Sequence, residues 1–528
     1  MGLAALAALP LAVLAIFFAL PLIGMIGRGL WPDAHLDLGG ALEVLGRARI
    51  RKVLWFTVWS STLATLITVA LGLPLAHALY RLRFPGRGLL RALVVVPFVL
   101  PTVVVGIAFR TLLVPSGPLG FLRLDGTAPA IVAVLVFFNV AVVVRTVGTA
   151  WEGLDRRPGE AAAALGASPR QVFATVTLPA LRPAIAGAAA VVFLFCATAF
   201  GAVLTLGGER YATVETEIYL QTTQYLDLRT AAVLSLLQFV VVVALLVGVT
   251  RVPAAAIGRL PSVARRPSRR DLPVLVMTAL VVGALVLPIA TLAVRSLRSG
   301  GTWTTVGYRQ FGGGVTTALR NSLTTAVIAT GVSVALALLI AVVITRPPRG
   351  SGERRVFRLL DGLFTLPLGI SAVTIGFGFL ITLDHPPLDL RRSAGLVIVA
   401  QALVALPLVL RVVVPALRAI DDRRRQAAAT LGASPLRVFA TVDVPIVGRP
   451  VLAGTGFALA VCLGEFGATS FLARPDRQTL PVLIYETIGR RGTENFQLAL
   501  AASVLLAAIT VAIMIGVERL RVGSVGAF

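Results

Sequence analysis

The chain has 528 residues, 57% hydrophobic and 14% charged, with a mean hydropathy of +0.91. That is too apolar for a soluble fold and marks a membrane protein with the lipid bilayer as its solvent. Two cysteines and three widely spaced histidines (His35, His77, His385) exclude a disulfide framework and argue against a metal centre. The single lysine, Lys52, lies outside any GxxxxGK[ST] pattern, so no phosphate-binding loop can be written for this chain.

A spanning helix needs about 20 predominantly apolar residues. Twelve segments meet this in chain order: Leu6–Ile26, Val53–Leu79, Leu89–Val114, Pro129–Val147, Ala184–Leu206 and Ala231–Val249, then Leu272–Val294, Asn321–Ile344, Leu359–Leu383, Ala394–Val414, Val451–Leu472 and Leu498–Val517. The first run has no preceding positive charge and no clear small-residue cleavage pattern, so it is read as a span and not as a leader. The formal charge of +24 would point to nucleic acid in a soluble domain. Here the arginines sit between apolar runs and act as topology signals, with no nucleic-acid partner expected. Their bias puts both termini in the cytoplasm, and Arg251, Arg259, Arg265, Arg266, Arg269 and Arg270 make a cytoplasmic linker that Pro253, Pro261 and Pro267 keep non-helical.

The sequence Ala161 to Pro169, AAAALGASP, returns as Ala427 to Pro435, AAATLGASP, and the match runs on through Val172-Phe173-Ala174-Thr175-Val176 and Val438-Phe439-Ala440-Thr441-Val442. The same offset of about 266 positions pairs Pro179 with Pro445, Cys196 with Cys462, Phe200-Gly201 with Phe466-Gly467 and Tyr219 with Tyr485. A period of this size signals duplication of a whole unit. The expected fold is therefore all-α and polytopic: a six-helix unit over 1–250, a linker over 251–271 and a second six-helix unit over 272–528. Units with an even number of spans share one orientation, which favours a pseudo-two-fold axis along the membrane normal.

The duplicated stretches fall in cytoplasmic loops, at about 150–183 and about 416–449. Glu160 to Leu165 are strong helix formers, Gly166 permits a turn, Ser168 is a good N-cap and Pro169 suits a first helical position, so the loop reads as helix, glycine turn, helix. Pro179 either ends the second helix or starts the next. Val172, Phe173 and Val176 share a face, which either keys into a partner's groove or packs on the protein's own helices.

These residues resemble a known family. Glu160-Ala161-Ala162, Gly166, Val176 and Leu178-Pro179 are similar to the EAA motif of ABC importer permeases, with Val where Ile is usual. The second copy reads Gln426-Ala427-Ala428, Gly432, Val442 and Val444-Pro445, departing at the first acid and at the Leu. The resemblance implies coupling loops that dock into an ATPase subunit. The first carries Glu160, Ala161, Ala162, Gly166, Ser168, Pro169, Phe173 and Pro179; the second carries Gln426, Ala427, Ala428, Gly432, Ser434, Pro435, Phe439 and Pro445. It further implies a bacterial inner-membrane location, an ATPase homodimer carrying ATP-Mg, an extracytoplasmic substrate-binding protein, and no catalysis or bound cofactor in this chain itself. The double unit is similar to the fused permeases of ferric-iron and thiamine importers. Phe137-Phe138-Asn139, Leu204 to Gly208 followed by Thr213 to Tyr219, and Thr479-Leu480-Pro481 leading to Tyr485 look most like the thiamine branch. Sulfate and molybdate permeases share the loop but usually carry one unit per chain.

Ionisable residues inside spans are functional candidates, here Arg110, Asp361 and Glu465. Glu465 is assigned to the translocation pathway of a cationic cargo because its repeat counterpart is the apolar Ala199, the alternative being a helix-end acid paired with an arginine. Tyr219 and Tyr485 are expected to be interfacial anchors, and His77 a packed residue. The rival class is an ion-gradient-driven secondary transporter of six plus six helices. It calls for coupled ionisable groups at mid-membrane in both units and has no use for a duplicated helix–turn–helix.

Overall fold

The computed structural model describes residues 2–32, 35–250, 264–345, 362–364, 370–384, 389–390, 393 and 395–521. Among these, ten helices are long and apolar enough to cross a membrane: Ala7–Leu30, Ala48–Arg81, Ala128–Glu152, Pro169–Ala197 and Leu228–Gly248, then Arg269–Ser296, Gly313–Thr345, Gly395–Arg418, Phe439–Leu463 and Thr493–Val517. The described strands are two short ones, Arg298–Ser299 and Thr302–Trp303, paired antiparallel in a hairpin.

Four of the expected spans differ in detail. The third, Leu89–Val114, is two helices, Arg87–Val99 and Thr102–Leu113, bent by 105°. Leu100 is extended because the ring of Pro101 disfavours helical backbone in the preceding residue, and Pro101 itself opens the next helix. The fifth, Ala184–Leu206, starts earlier and stops at Ala197, with a separate short helix Gly201–Gly207 beyond it. The ninth, Leu359–Leu383, lies partly outside the described residues, and its described end is the helix Ala372–Thr382. The eleventh, Val451–Leu472, starts earlier and stops at Leu463, with a separate short helix Thr469–Leu472 beyond it.

The two units clasp each other reciprocally. Leu20–Leu30, at the end of the first unit's opening span, packs on Ala372–Thr382 of the second, with Phe17 and Phe379 edge-to-face at 5.9 Å. Leu272–Ser296, the opening span of the second unit, packs in turn on Thr102–Leu113 of the first. Of the basic linker, 251–263 lie outside the described residues. The described end is tied to the first unit: Arg265 donates its backbone N–H to the Arg81 carbonyl (3.0 Å), accepts from Arg83 (2.8 Å), and holds Asp271 through both guanidinium nitrogens at 2.7 Å.

Candidate functional site

The duplicated loops form the same local structure twice. In the first, the helix Arg157–Ala164 ends in a turn where Gly166 has φ +92°; in the second, Asp422–Thr430 ends where Gly432 has φ +82°. This left-handed backbone costs any residue with a Cβ about 1–2 kcal/mol, and an added Cβ meets nothing at either glycine, so the requirement is conformational and not spatial. Ser168 caps the following helix through a capping box, accepting from Gln171 N–H (3.4 Å) while Gln171 Oε1 accepts from Ser168 N–H (2.8 Å). Ser434 accepts from Arg437 N–H (3.4 Å), without the reciprocal bond because Arg replaces Gln.

Pro179 and Pro445 do not end those helices. Pro169–Val172, a wide five-residue turn Phe173–Thr177 and Leu178–Ala197 run on as one continuous helix, and Pro435–Val438, Phe439–Asp443 and Val444–Leu463 do the same. A proline lacks the N–H that a regular turn requires and its ring crowds the carbonyl four residues back. In both copies the wide turn, bonded to the fifth residue back, lies just before the proline.

The loops present a residue that the sequence reading did not single out. Leu165 and Leu431 stand beside the turn glycines 89% and 88% exposed, and periodicity gave no signal for them because they sit at the helix ends. Glu160, Ala161, Gly166, Ser168 and Pro169 are exposed, with Ala162 partly covered; Gln426, Ala427, Gly432, Ser434 and Pro445 are exposed, with Ala428 and Phe439 partly covered. Phe173 is 39% exposed and leans on Trp151 at 6.0 Å, and Val172, Phe173 and Val176 together line a space of about 1400 Å³ behind the loop. The side chain of Pro435 lies outside the described set.

Between the units, at mid-depth, lies a cavity of about 310 Å³. Its walls include Phe98, Phe138, Phe195, Phe200, Phe457 and Phe466, together with Glu215 and Glu465. Glu465 is buried, and its carboxylate accepts from the backbone N–H groups of Ala468 (2.8 Å) and Thr469 (3.0 Å), where an arginine partner was the alternative expectation. Glu215 is the residue that sequence reasoning missed. It is fully buried and accepts from Gln238 Nε2 of its own unit (2.5 Å) and Ser371 Oγ of the other (3.0 Å). Glu217, two positions along the same helix, points elsewhere, to a two-pronged pair with Arg49 at 2.7 and 3.0 Å.

Two rings that line this cavity, Phe200 and Phe466, belong with Tyr219 and Tyr485 to a repeat-related set of four. Phe200 and Phe466 stack with centroids 5.4 Å apart and planes at 14°. Tyr219 packs on Phe200 at 5.3 Å and Tyr485 on Phe466 at 5.2 Å, so the tyrosines are internal packing partners and not membrane anchors. Gly201 and Gly467 let the chain beside each Phe run against the other elements, since a Cβ would come within 2.4 Å of Thr102 and 2.8 Å of Ala372. A second space of about 740 Å³ opens on the side opposite the loops, lined by Arg110, Asp125, Leu204 to Gly208, Tyr485, Glu486 and Ile488 to Arg490. Among the other sequence candidates, His77 lies 5.1 Å from Trp151 and 3.8 Å from Asp271, a packed residue as expected. Asp361 and His385 lie outside the described residues.

Known proteins place this architecture. The Brucella abortus (strain 2308) thiamine transport system permease protein ThiP is 27% identical over 523 residues, covering 95% of this chain and 94% of that protein. The ThiP of Escherichia coli K12 is 28% identical over 453 residues, 83% of each chain. The molybdenum transport system permease protein ModB of Azotobacter vinelandii is 35% identical over 174 residues, 31% of this chain and 76% of that protein. A family model, the binding-protein-dependent transport system inner membrane component, matches twice, at residues 68–255 and 350–521. The chain, a multi-pass inner-membrane permease of an ABC importer with two such units in tandem, belongs to the binding-protein-dependent transport system inner membrane component family.

Proposed function

We propose that this permease imports thiamine or a closely similar flat organic cation. The observation that carries the reading is the inter-unit cavity, where six phenylalanines and two buried carboxylates face one space. Ring faces attract cations, and carboxylates supply the opposite charge. The two ThiP relatives, matched over most of their length as double-unit chains, support the same cargo; ferric iron has less direct support.

Members of the family work with an ATP-hydrolysing subunit and a substrate-binding protein. In this reading the ATPase is a homodimer that holds ATP-Mg. It docks on the two loops through Leu165, Gly166 and Glu160 on one side and Leu431, Gly432 and Gln426 on the other, and both termini face it in the cytoplasm. This chain binds no cofactor and performs no covalent chemistry. Closure of the dimer draws the loops together, and because each loop continues into a spanning helix, the motion reaches the cavity walls. The ATP state acts only through its preference for one arrangement of the loops over the other.

Uptake of labelled thiamine and labelled ferric iron, measured in cells with and without the gene and before and after ATP depletion, tests this. Thiamine uptake is expected to fall with either loss while iron uptake is unchanged; the reverse pattern would exclude the thiamine reading.

A further inference from the structure

The space on the side opposite the loops and the mid-depth cavity share no lining residue, yet one ring contact joins them. Tyr485 lines the first, and its ring lies 5.2 Å from Phe466, which lines the second. Phe466 stacks on Phe200 across the boundary between the units, and Tyr219 backs Phe200 as Tyr485 backs Phe466. Each Phe–Tyr pair is contributed by one unit, and the set meets the other unit through the Phe200–Phe466 stack and through Tyr219 on Phe471 at 5.4 Å. From these positions we infer that the Phe200–Phe466 stack, backed by Tyr219 and Tyr485, is the outer gate of the pathway, closed in this structure.

The geometry supports this in three ways. First, with the loops on the ATPase side, the opposite space is an outer vestibule, and the rings stand between it and the cavity. Second, the partition is split between the units, so separation of the units about the pseudo-two-fold axis parts the central stack and the Tyr219–Phe471 contact and leaves each Phe–Tyr pair intact. Third, Phe200 and Phe466 each lie just beyond the end of the helix that begins in a coupling loop, three residues after Ala197 and three after Leu463. Loop movement therefore acts on the two halves of the stack directly. Single ring contacts are weak enough to break and reform in each cycle. The inference rests on the permease assignment and holds whichever solute is carried.

The test uses the full complex with its ATPase in sealed vesicles, with Cys196→Ala and Cys462→Ala, and needs no cargo. Phe200→Cys with Phe466→Cys should be joined by a short bismaleimide in the nucleotide-free complex, with the yield falling about fivefold or more after trapping with ATP and vanadate. Equal yields in the two states, or no cross-link in either, would overturn the gate. Thr198→Cys, on the cavity wall, gives an independent readout that does not depend on the cysteine pair. A membrane-impermeant maleimide added to the outer face should label it slowly with both rings present and about tenfold faster in Phe200→Ala/Phe466→Ala. An unchanged labelling rate in complexes that retain the ATPase would also overturn it. Neither readout moves if the cargo is not thiamine, so failure here is distinct from failure of the cargo reading.

Discussion

In the second loop Arg425 reaches three ways: to Asp443 at 2.9 Å, to Asp422 at 2.8 Å and to the Leu417 carbonyl at 3.3 Å. The corresponding positions in the first loop are Gly159, Thr177, Arg156 and Trp151, and all four line a cavity of about 1400 Å³ bounded also by His77 and Arg265. One copy is braced against its own spans by an ion-paired arginine; the other is hollow at the same place. The outward side shows no such difference, since both present a bare leucine and a left-handed glycine. Duplication has kept the leucine and the glycine of the exposed turn, has changed Glu160 to Gln426 beside it and has altered how each copy is anchored.

The largest expected effect falls on the shared side. Leu165→Asp with Leu431→Asp should weaken ATPase binding by about 3 kcal/mol, more than a hundredfold, in a copurification or titration assay. If only one of the two single substitutions does this, the loops are unequal outside as well as inside. Next, Arg425→Ala should loosen only the second loop. The amides of Asp422–Thr430 should exchange roughly thirtyfold faster, about 2 kcal/mol, with Arg157–Ala164 unmoved. Smaller again, Gly166→Ala and Gly432→Ala should each cost about 1–2 kcal/mol through the same backbone strain, read from exchange of the helix before each turn. Unequal costs would mean that the cavity behind the first loop absorbs strain that the braced second loop cannot.

The smallest effect lies on the opposite side of the membrane. Asp37 accepts from the Gly40 backbone N–H and from Arg229, and these hold its carboxyl below its usual range. A depressed folded value means that its contribution is complete above the ordinary carboxylate range and is lost only as pH falls through the folded value. Between about pH 6 and 8 the unfolding midpoint of the complex should show no pH dependence from this residue, and Asp37→Asn should lower the midpoint slightly and by the same amount across that window.

Much of this was legible from residue order. Hydropathy placed the spans, the constant offset exposed the duplication, and Gly166, Ser168 and Pro169 announced the turn, cap and helix start that the structure contains. The bend at Leu100–Pro101 was not legible, because a proline in an apolar run is compatible with a straight, a kinked or a broken span. Leu165 and Phe173 are both apolar loop residues, and that Phe173 is partly covered by Trp151 while Leu165 is left bare depends on how the loop folds back, which no periodicity encodes. Glu215 sits in the helix Val214–Thr223, whose polar composition gives no membrane signal, and its burial comes from Ser371 in the other unit. The stack of Phe200 on Phe466 needs the axis between the units, which no local pattern encodes.

The unbroken helix from Pro169 to Ala197 has a mechanical corollary. At 1.5 Å per residue its 29 residues make a lever about 40 Å long. Tilting such a lever by about 5° displaces one end against the other by about 4 Å, by the same length. That is close to the 5.4 Å between the stacked rings just beyond its tip. If the proposed ATPase acts on the loop, it needs to deliver only a small angle, and any softening of the wide turn before Pro179 would be felt as lost stroke at the far end.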